Sequence, residues 1–468
     1  MLSMVALLAI VTLDQTPLRA APRDSAQQQA VLWQGDSLEV RGIKADYLQV
    51  YDHRRERAGY VKTSQVREVS LAPEDAPQAL TVVKFLRDTP GAEALGISYT
   101  AAFLKAAPVD IINADAFDAL GTMAERLAQR ASSQKAKQDD QTISAHLEVV
   151  AEYGVKIQGF EQEDRVRLCY DGKAFRRVLA MNASNEQKAR AALAITRQDC
   201  IDLAIGQLDR NNLDIWRENI LDKVELKDIP EYLKNRIHMR RASVLSSIAY
   251  QLARKNEPTA QTTANRALQE LASINKNELT DGDATAYTDA AVRVGATRWA
   301  AETMPATKSG LNVVTSAGAP GETCVALIDE KHSQQNPLIK RCTYSVVWAA
   351  SVKTNANNTA LALAVQPLEA WRELWVFHQS EGQWIIDVLP PAPTEPNLGY
   401  VEFAGWVPAT NKILAAREIK MDGRFKHSFD VVSMDSLQVE KTADKPESLT
   451  TFYRWQDASW KSQNVILR

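Results

Sequence analysis

The stretch Val31–Arg67, VLWQGDSLEVRGIKADYLQVYDHRRERAGYVKTSQVR, decides how the N-terminal part of the chain is read. Leu38 and Val40 alternate with polar neighbours, and so do Leu48 and Val50, which is the period-two pattern of strands buried on one side. Asp52 to Arg57 forms a charged hairpin loop, and Gly59-Tyr60-Val61 then opens another short strand. Short strands separated by turn signals predict a small β-barrel over residues 31–70.

The order of these motifs resembles that of the bacterial SH3-like (SH3b) domain. The family pattern is G-x-x-L-x-V, an aromatic with a V-x-V-type strand, a charged turn, G-[YW]-V and S-x-V. Here it reads Gly35/Leu38/Val40, Tyr47/Leu48/Val50, Gly59/Tyr60/Val61 and Ser64/Val66. The stretch lacks the family's opening strand with its L-N-V-R-type motif, and it covers less than a tenth of the chain. The resemblance implies a binding module that recognises a cell-wall glycan or peptide, or a protein. Candidate ligand residues are Arg54 and Arg55 beside Tyr47, Tyr51 and Tyr60, because a guanidinium binds carboxylates in a fork and a rigid aromatic contributes contact area. The alternative for the same cluster is a solvated hairpin loop.

Working outward, the 468 residues are enough for two to four domains. Charged residues make up 24% and the net charge is −3, so the clustered excess of Lys and Arg expected of a nucleic-acid-binding protein is missing. The opening run MLSMVALLAIVTL is shorter than the roughly 20 residues that span a bilayer. With Leu18-Arg19-Ala20 downstream it reads as a signal peptide over 1–20, although no Lys or Arg precedes it. A polar, Gln-rich spacer follows over 21–30. No transmembrane segment is expected in the mature chain, and the expected location is periplasmic or secreted.

Four cysteines, an even number, suit an oxidising compartment. Three pairings are possible in principle. The local one, Cys169 with Cys200 and Cys324 with Cys342, keeps each couple inside one predicted domain, and each loop closure is worth about 3–4 kcal/mol. No C-x-x-C occurs, which removes zinc-ribbon and thioredoxin-type readings.

From 77 to 305 apolar residues recur at three and four. Examples are Ala79/Val82/Val83/Leu86, Phe117/Leu120/Met123/Ala124/Leu127 and Val244/Leu245/Ile248/Ala249/Leu252. This predicts an all-helical, solenoid-like domain, without the tetratricopeptide signature. Over 310–468 the pattern becomes strand-like. Runs TYSVVWA, ALALAV, RELWVF and WIIDVL precede the break PPAPTEP, and YVEFAGW, KILAAREI, HSFDVVSM and LTTFYRW follow it. Phe377…Trp384 and Tyr453…Trp460 share one spacing, and Asp422-Gly423 supplies hairpin chemistry. GYVEFAGWVPATNKILAAREIKMDG resembles a TolB- or WD-type propeller blade, which implies four-stranded blade-like units. Trp348, Trp384, Trp406 and Trp460 then read as core, while Trp371 and Trp375 are candidates for a surface.

The fold class expected is therefore multidomain α+β: an SH3-like barrel, a helical domain and an antiparallel blade-like domain. The six histidines form no metal-ligand spacing, and no nucleophile elbow or phosphate loop is present, so neither metal nor cofactor is expected. The function expected is an exported binding or scaffold protein of the bacterial envelope, with an envelope protein or a cell-wall glycan or peptide as partner. The alternatives are an envelope hydrolase with an SH3b-like targeting module and an intracellular adaptor whose leader is spurious.

Overall fold

The computed structural model describes residues 7–133, 140–162, 165–303, 310–393 and 396–463. The chain divides into two compact units. One comprises Met1–Gly206 with Asp222–Ile229, the other Gln207–Leu221 with Pro230–Arg468. An N-terminal antiparallel sheet, a helical middle and a C-terminal β region are all present, as the sequence predicts.

The first unit opens with β1 (Leu7–Val11), β2 (Thr16–Arg19), β3 (Gln28–Leu32), β4 (Ser37–Lys44), β5 (Tyr47–Asp52), β6 (Arg57–Lys62) and β7 (Val66–Ser70). Among the described residues they form one seven-stranded sheet in the order β3-β2-β6-β5-β4-β1-β7. Its core holds Ala9, Val11, Leu18, Leu32, Leu38, Leu48, Val50, Val61 and Val66. Helices α1 (Ala76–Arg87), α2 (Glu93–Ala106), α3 (Ala114–Ala131) and α4 (Asp140–Glu152) follow. They share a core of Val83, Leu86, Ile97, Phe103, Met123, Leu127 and Val150, of which Val83, Leu86, Met123 and Leu127 lie on the faces that the three-and-four spacing marks.

The N-terminal boundaries are corrected here. Leu7–Val11, read as part of a leader, lies between β4 and β7 and pairs with both. Ala9 and Val11 enter the sheet's core while Ile10 packs against Val69 and Ala102. A strand buried on both faces is apolar at every position, which is also what a leader looks like. Residues 21–30 are likewise not a plain spacer, since β3 begins at Gln28. Met1 to Ala6 lie outside the described residues.

One motif residue shows why the sequence is as it is. Gly35 has φ of +92°, and a Cβ there would stand 2.6 Å from the Ala94 carbonyl oxygen at the start of α2. Only glycine lets the loop before β4 approach the helix so closely.

The predicted all-helical domain is interrupted. A hairpin of β8 (Ile157–Gln162) and β9 (Arg165–Tyr170) comes before α5 (Lys173–Ala180) and α6 (Asn185–Ile195). Ser184 caps α6 in a reciprocal box with Gln187. The remaining helices, α7 (Gln207–Asp222), α8 (Glu231–Arg254), α9 (Thr259–Ala272) and α10 (Asp281–Thr297), belong to the second unit, apart from the last residue of α7.

There the C-terminal strands make two sheets. β10 (Asn312–Ala317), β11 (Thr323–Ile328) and β12 (Ile339–Thr343) form a three-stranded one. β13 (Val346–Thr354), β14 (Ala360–Leu368), β15 (Trp371–Ser380) and β16 (Gln383–Leu389) form an antiparallel meander, as do β17 (Leu398–Val407), β18 (Lys412–Met421), β19 (Arg424–Ser433) and β20 (Val439–Ala443). A short parallel pairing of Trp371–Arg372 with Gly399–Tyr400 joins the two meanders into one sheet. This departs from separate propeller blades, which share no ladder, although the two four-stranded units and the Asp422-Gly423 hairpin are present. LTTFYRW is not a strand. It contains α11 (Thr450–Trp455), which with α12 (Ala458–Gln463) sets Phe452 and Trp460 edge-on against Phe429 at 5.3 and 6.3 Å. The Tyr453…Trp460 match is therefore not a strand repeat. Trp371 and Trp375 are each 2% exposed, so they are core and not surface.

Candidate functional site

The N-terminal sheet separates the five predicted ligand residues into two groups. Tyr47 and Tyr51 lie four apart on β5, and Tyr60 of β6 stands opposite Gln49 midway between them, so all three share one outer face. Lys62 opposes Tyr47, and Arg19 opposes Tyr60. The Arg41 guanidinium stacks 4.1 Å from the Tyr51 ring centroid, and His53 meets the same ring edge-on at 4.9 Å. Tyr47 is buried; its hydroxyl donates to Asp24 at 2.7 Å, and Lys62 donates to the other oxygen of that carboxylate at 2.7 Å. These two hydrogen bonds, Lys62 first, hold the Asp24 carboxyl below its ordinary range. Tyr51 and Tyr60 stay half-buried beside exposed Gln49.

Arg54 and Arg55 do not join them. Arg55 donates to Asp52 at 2.7 Å and to Asp36 at 3.1 Å; those carboxylates are 1% and 5% exposed. Burial alone would lower the Arg55 pKa, but its bonds to Asp52 and Asp36 raise it. Arg54 reaches Asp36 at 3.4 Å and Glu148 and Glu152 of α4 at 2.8 and 3.7 Å. The expectation of two ligand-facing arginines is corrected: both guanidinia neutralise carboxylates of this unit, and Arg54 also fastens the loop to α4. Nearby, Tyr153 donates to the Gly35 carbonyl at 2.6 Å, and buried His146 meets Asp14 at 2.7 Å. Beside β8 in the same unit lies a concavity of about 570 Å³ lined by Gln158, Gly159, Phe160, Glu161 and Asp202.

A second constellation, which sequence reasoning missed, crosses the large sheet of the second unit. Register places Arg372, Tyr400, Glu418 and His427 in one row over four strands. Arg372 donates to the carbonyls of Gly295 and Ala296 near the end of α10 at 2.5 and 3.1 Å, and stacks 4.9 Å from the Tyr400 ring centroid. Tyr400 donates to Glu418 at 3.2 Å. Glu402 binds Arg298 at one oxygen and approaches Arg372 at 3.3 Å with the other. A Cβ at position 295 would sit 2.6 Å from the Tyr400 ring, so glycine lets α10 lie directly on the row.

Burial separates the charges of these groups. It pulls Arg372 down to about 10 against the opposing pull of Glu402. Glu402 itself stays low because Arg298 and Arg372 outweigh burial. Glu418 is pushed up to about 7 by burial, with Glu402 adding to the rise and the Tyr400 hydrogen bond opposing it. The result is a carboxyl that titrates near neutrality in the interior. The signal available in sequence was a charge placed within an apolar strand, Arg372 in RELWVF and Glu402 in YVEFAGW; the pairing needs the register.

All four cysteines form the two disulfides that locality predicts, Cys169–Cys200 and Cys324–Cys342. Among the described residues no helix is long and apolar enough to cross a membrane. No protein-family model matches the chain, and no curated protein matches it significantly.

Proposed function

We propose that this chain is a binding or scaffold protein of the bacterial cell envelope, carrying an SH3b-like module that recognises a cell-wall glycan or peptide, or an envelope protein. The observation that carries this reading is the outer face of the N-terminal sheet, where Tyr51 and Tyr60 flank Gln49 among Arg19, Arg41 and Lys62. Such aromatic and basic surfaces suit sugars and peptides. Work outside the cytosol is supported by the two disulfides and no longer by a leader, because Leu7–Arg19 is needed inside the sheet.

The test is co-sedimentation of the full chain with purified sacculi, with released muropeptides measured in the same samples. The chain should pellet with sacculi, and Tyr51→Ala with Tyr60→Ala should stay in solution while remaining folded. Robust muropeptide release, abolished by one carboxylate or serine substitution, would refute the scaffold reading.

A further inference from the structure

In the three-stranded sheet, Cys324 of β11 stands directly opposite Cys342 of β12, with Cα atoms 3.9 Å apart. Pairing continues on both sides, Thr323 with Thr343 and Val325 with Arg341. The main-chain ladder therefore keeps the two cysteines facing one another whether or not their sulfurs are bonded. Cys324 is 3% exposed, whereas Cys342 is exposed on the edge strand, within reach of an attacking thiol. Glu322, one residue before β11, brings a carboxylate oxygen within 4.8 Å of both sulfurs. That carboxylate is steadied by accepting the Ala319 N–H at 3.0 Å.

The geometry points to a redox-gated metal site: once the Cys324–Cys342 bond is reduced, the two Sγ atoms and the Glu322 carboxylate take up a Zn²⁺ ion. The reductant is a dithiol. Its thiolate attacks Cys342 Sγ, the S–S bond breaks, and Cys324 leaves as a thiolate that takes a proton. The second thiol of the reductant then displaces Cys342 from the mixed disulfide, and the reductant departs as its own disulfide. Two electrons and two protons have moved to the chain, and binding of Zn²⁺ releases the two thiol protons.

A zinc–sulfur distance of about 2.3 Å places two thiolates of a tetrahedral site about 3.7 Å apart. Side chains on directly opposite residues reach that separation without moving the strands. Two thiolates select a borderline-soft ion over Mg²⁺ or Ca²⁺, and the exposed side at Cys342 leaves a position for water. Cys169 and Cys200 have no such arrangement; their Cα atoms are 6.0 Å apart and the bond joins β9 to a short turn after α6. The inference rests on this sheet alone and stands whether or not the envelope reading holds.

The test uses the full chain reduced with dithiothreitol, desalted without oxygen and titrated with Co²⁺, with Zn²⁺ as competitor. The reduced chain should show a thiolate-to-cobalt absorption band saturating at one equivalent and removed by Zn²⁺; the oxidised chain should show none. The band should vanish in Cys324→Ser with Cys342→Ser, and Glu322→Gln should bind about ten-fold or more weakly. In the unmodified reduced chain, Zn²⁺ should protect Cys324 and Cys342, but not Cys169 and Cys200, from alkylation. No band in the reduced chain, a band that survives loss of both cysteines, unchanged affinity in Glu322→Gln, or no selective protection would each overturn the proposal.

Discussion

The two units bury charge and place sulfur in opposite ways. Around the N-terminal sheet, buried carboxylates meet cations at the rim: Asp36 and Asp52 face Arg54 and Arg55, and Arg54 also reaches Glu148 and Glu152 of α4. The disulfide of that unit likewise ties segments that no ladder joins, β9 and the turn holding Cys200. In the second unit the buried row Arg372–Tyr400–Glu418 lies across strands already paired, and Cys324–Cys342 bridges residues already opposite. Polar groups in the first unit hold structure together. Those in the second sit on strands that main-chain ladders already join, and Arg372 and Glu402 tie that sheet to α10 and Arg298.

The largest effect that sharpens this contrast is expected from Arg55→Ala. It leaves Asp52 buried without its cation and should cost about 3–5 kcal/mol in urea unfolding. A loss under about 1 kcal/mol would show the loop pairs to be incidental. Next comes Cys169→Ser with Cys200→Ser. The loop model gives about 3–4 kcal/mol, and limited proteolysis should newly cut near residues 198–206. The same model assigns a similar global cost to Cys324→Ser with Cys342→Ser. There, however, amide exchange along β11 and β12 should keep its protection, since the ladder remains. Equal local loosening at both sites would break the comparison.

The third effect is a pH dependence of the second unit. Glu418 titrates at about 7 in the fold against an ordinary 4.5, so the unfolded chain loses its proton first. Stability from this group is intact below about pH 4.5 and lost as pH rises to about 7, to the extent of about 3 kcal/mol. The groups facing it are Tyr400 and Glu402 of β17, His427 of β19, Lys420 two residues on and Arg372 beyond Tyr400. Glu418→Gln should flatten that slope in thermal melts taken across this range; an unchanged slope would assign it elsewhere. The smallest stability effect is expected of Tyr51→Ala, within about 0.5 kcal/mol of the parent, because the ring lies half out on the surface.

Much of this was legible in the sequence, and the gaps have physical causes. Alternation at Leu38/Val40 and Leu48/Val50 located strands because each has one wet face. β1 was lost because both its faces are buried, which erases alternation. The β8–β9 hairpin sits among helices and carries no Asn-Gly or Asp-Gly turn to announce it. LTTFYRW has the β-branched and aromatic residues of a strand, yet α11 forms because Phe452 is drawn onto Phe429 and Trp460. The local cysteine pairing was readable because each couple falls inside one predicted domain. The division of the site residues was not: Tyr51 and Arg54 are three apart in sequence, but the strand ends between them, and Asp36 and Glu148, which help to claim the arginines, come from distant segments.

The account depends most on Cys169–Cys200 being closed where the protein works, with Cys324 and Cys342 opening and closing as one pair. Native material denatured in an alkylating agent without reductant, then mapped by mass spectrometry, reads this directly. Cys169 and Cys200 should be recovered as a linked, unlabelled pair, with Cys324 and Cys342 linked as well or labelled together in a reduced fraction. Labelling of all four cysteines throughout the sample would contradict it.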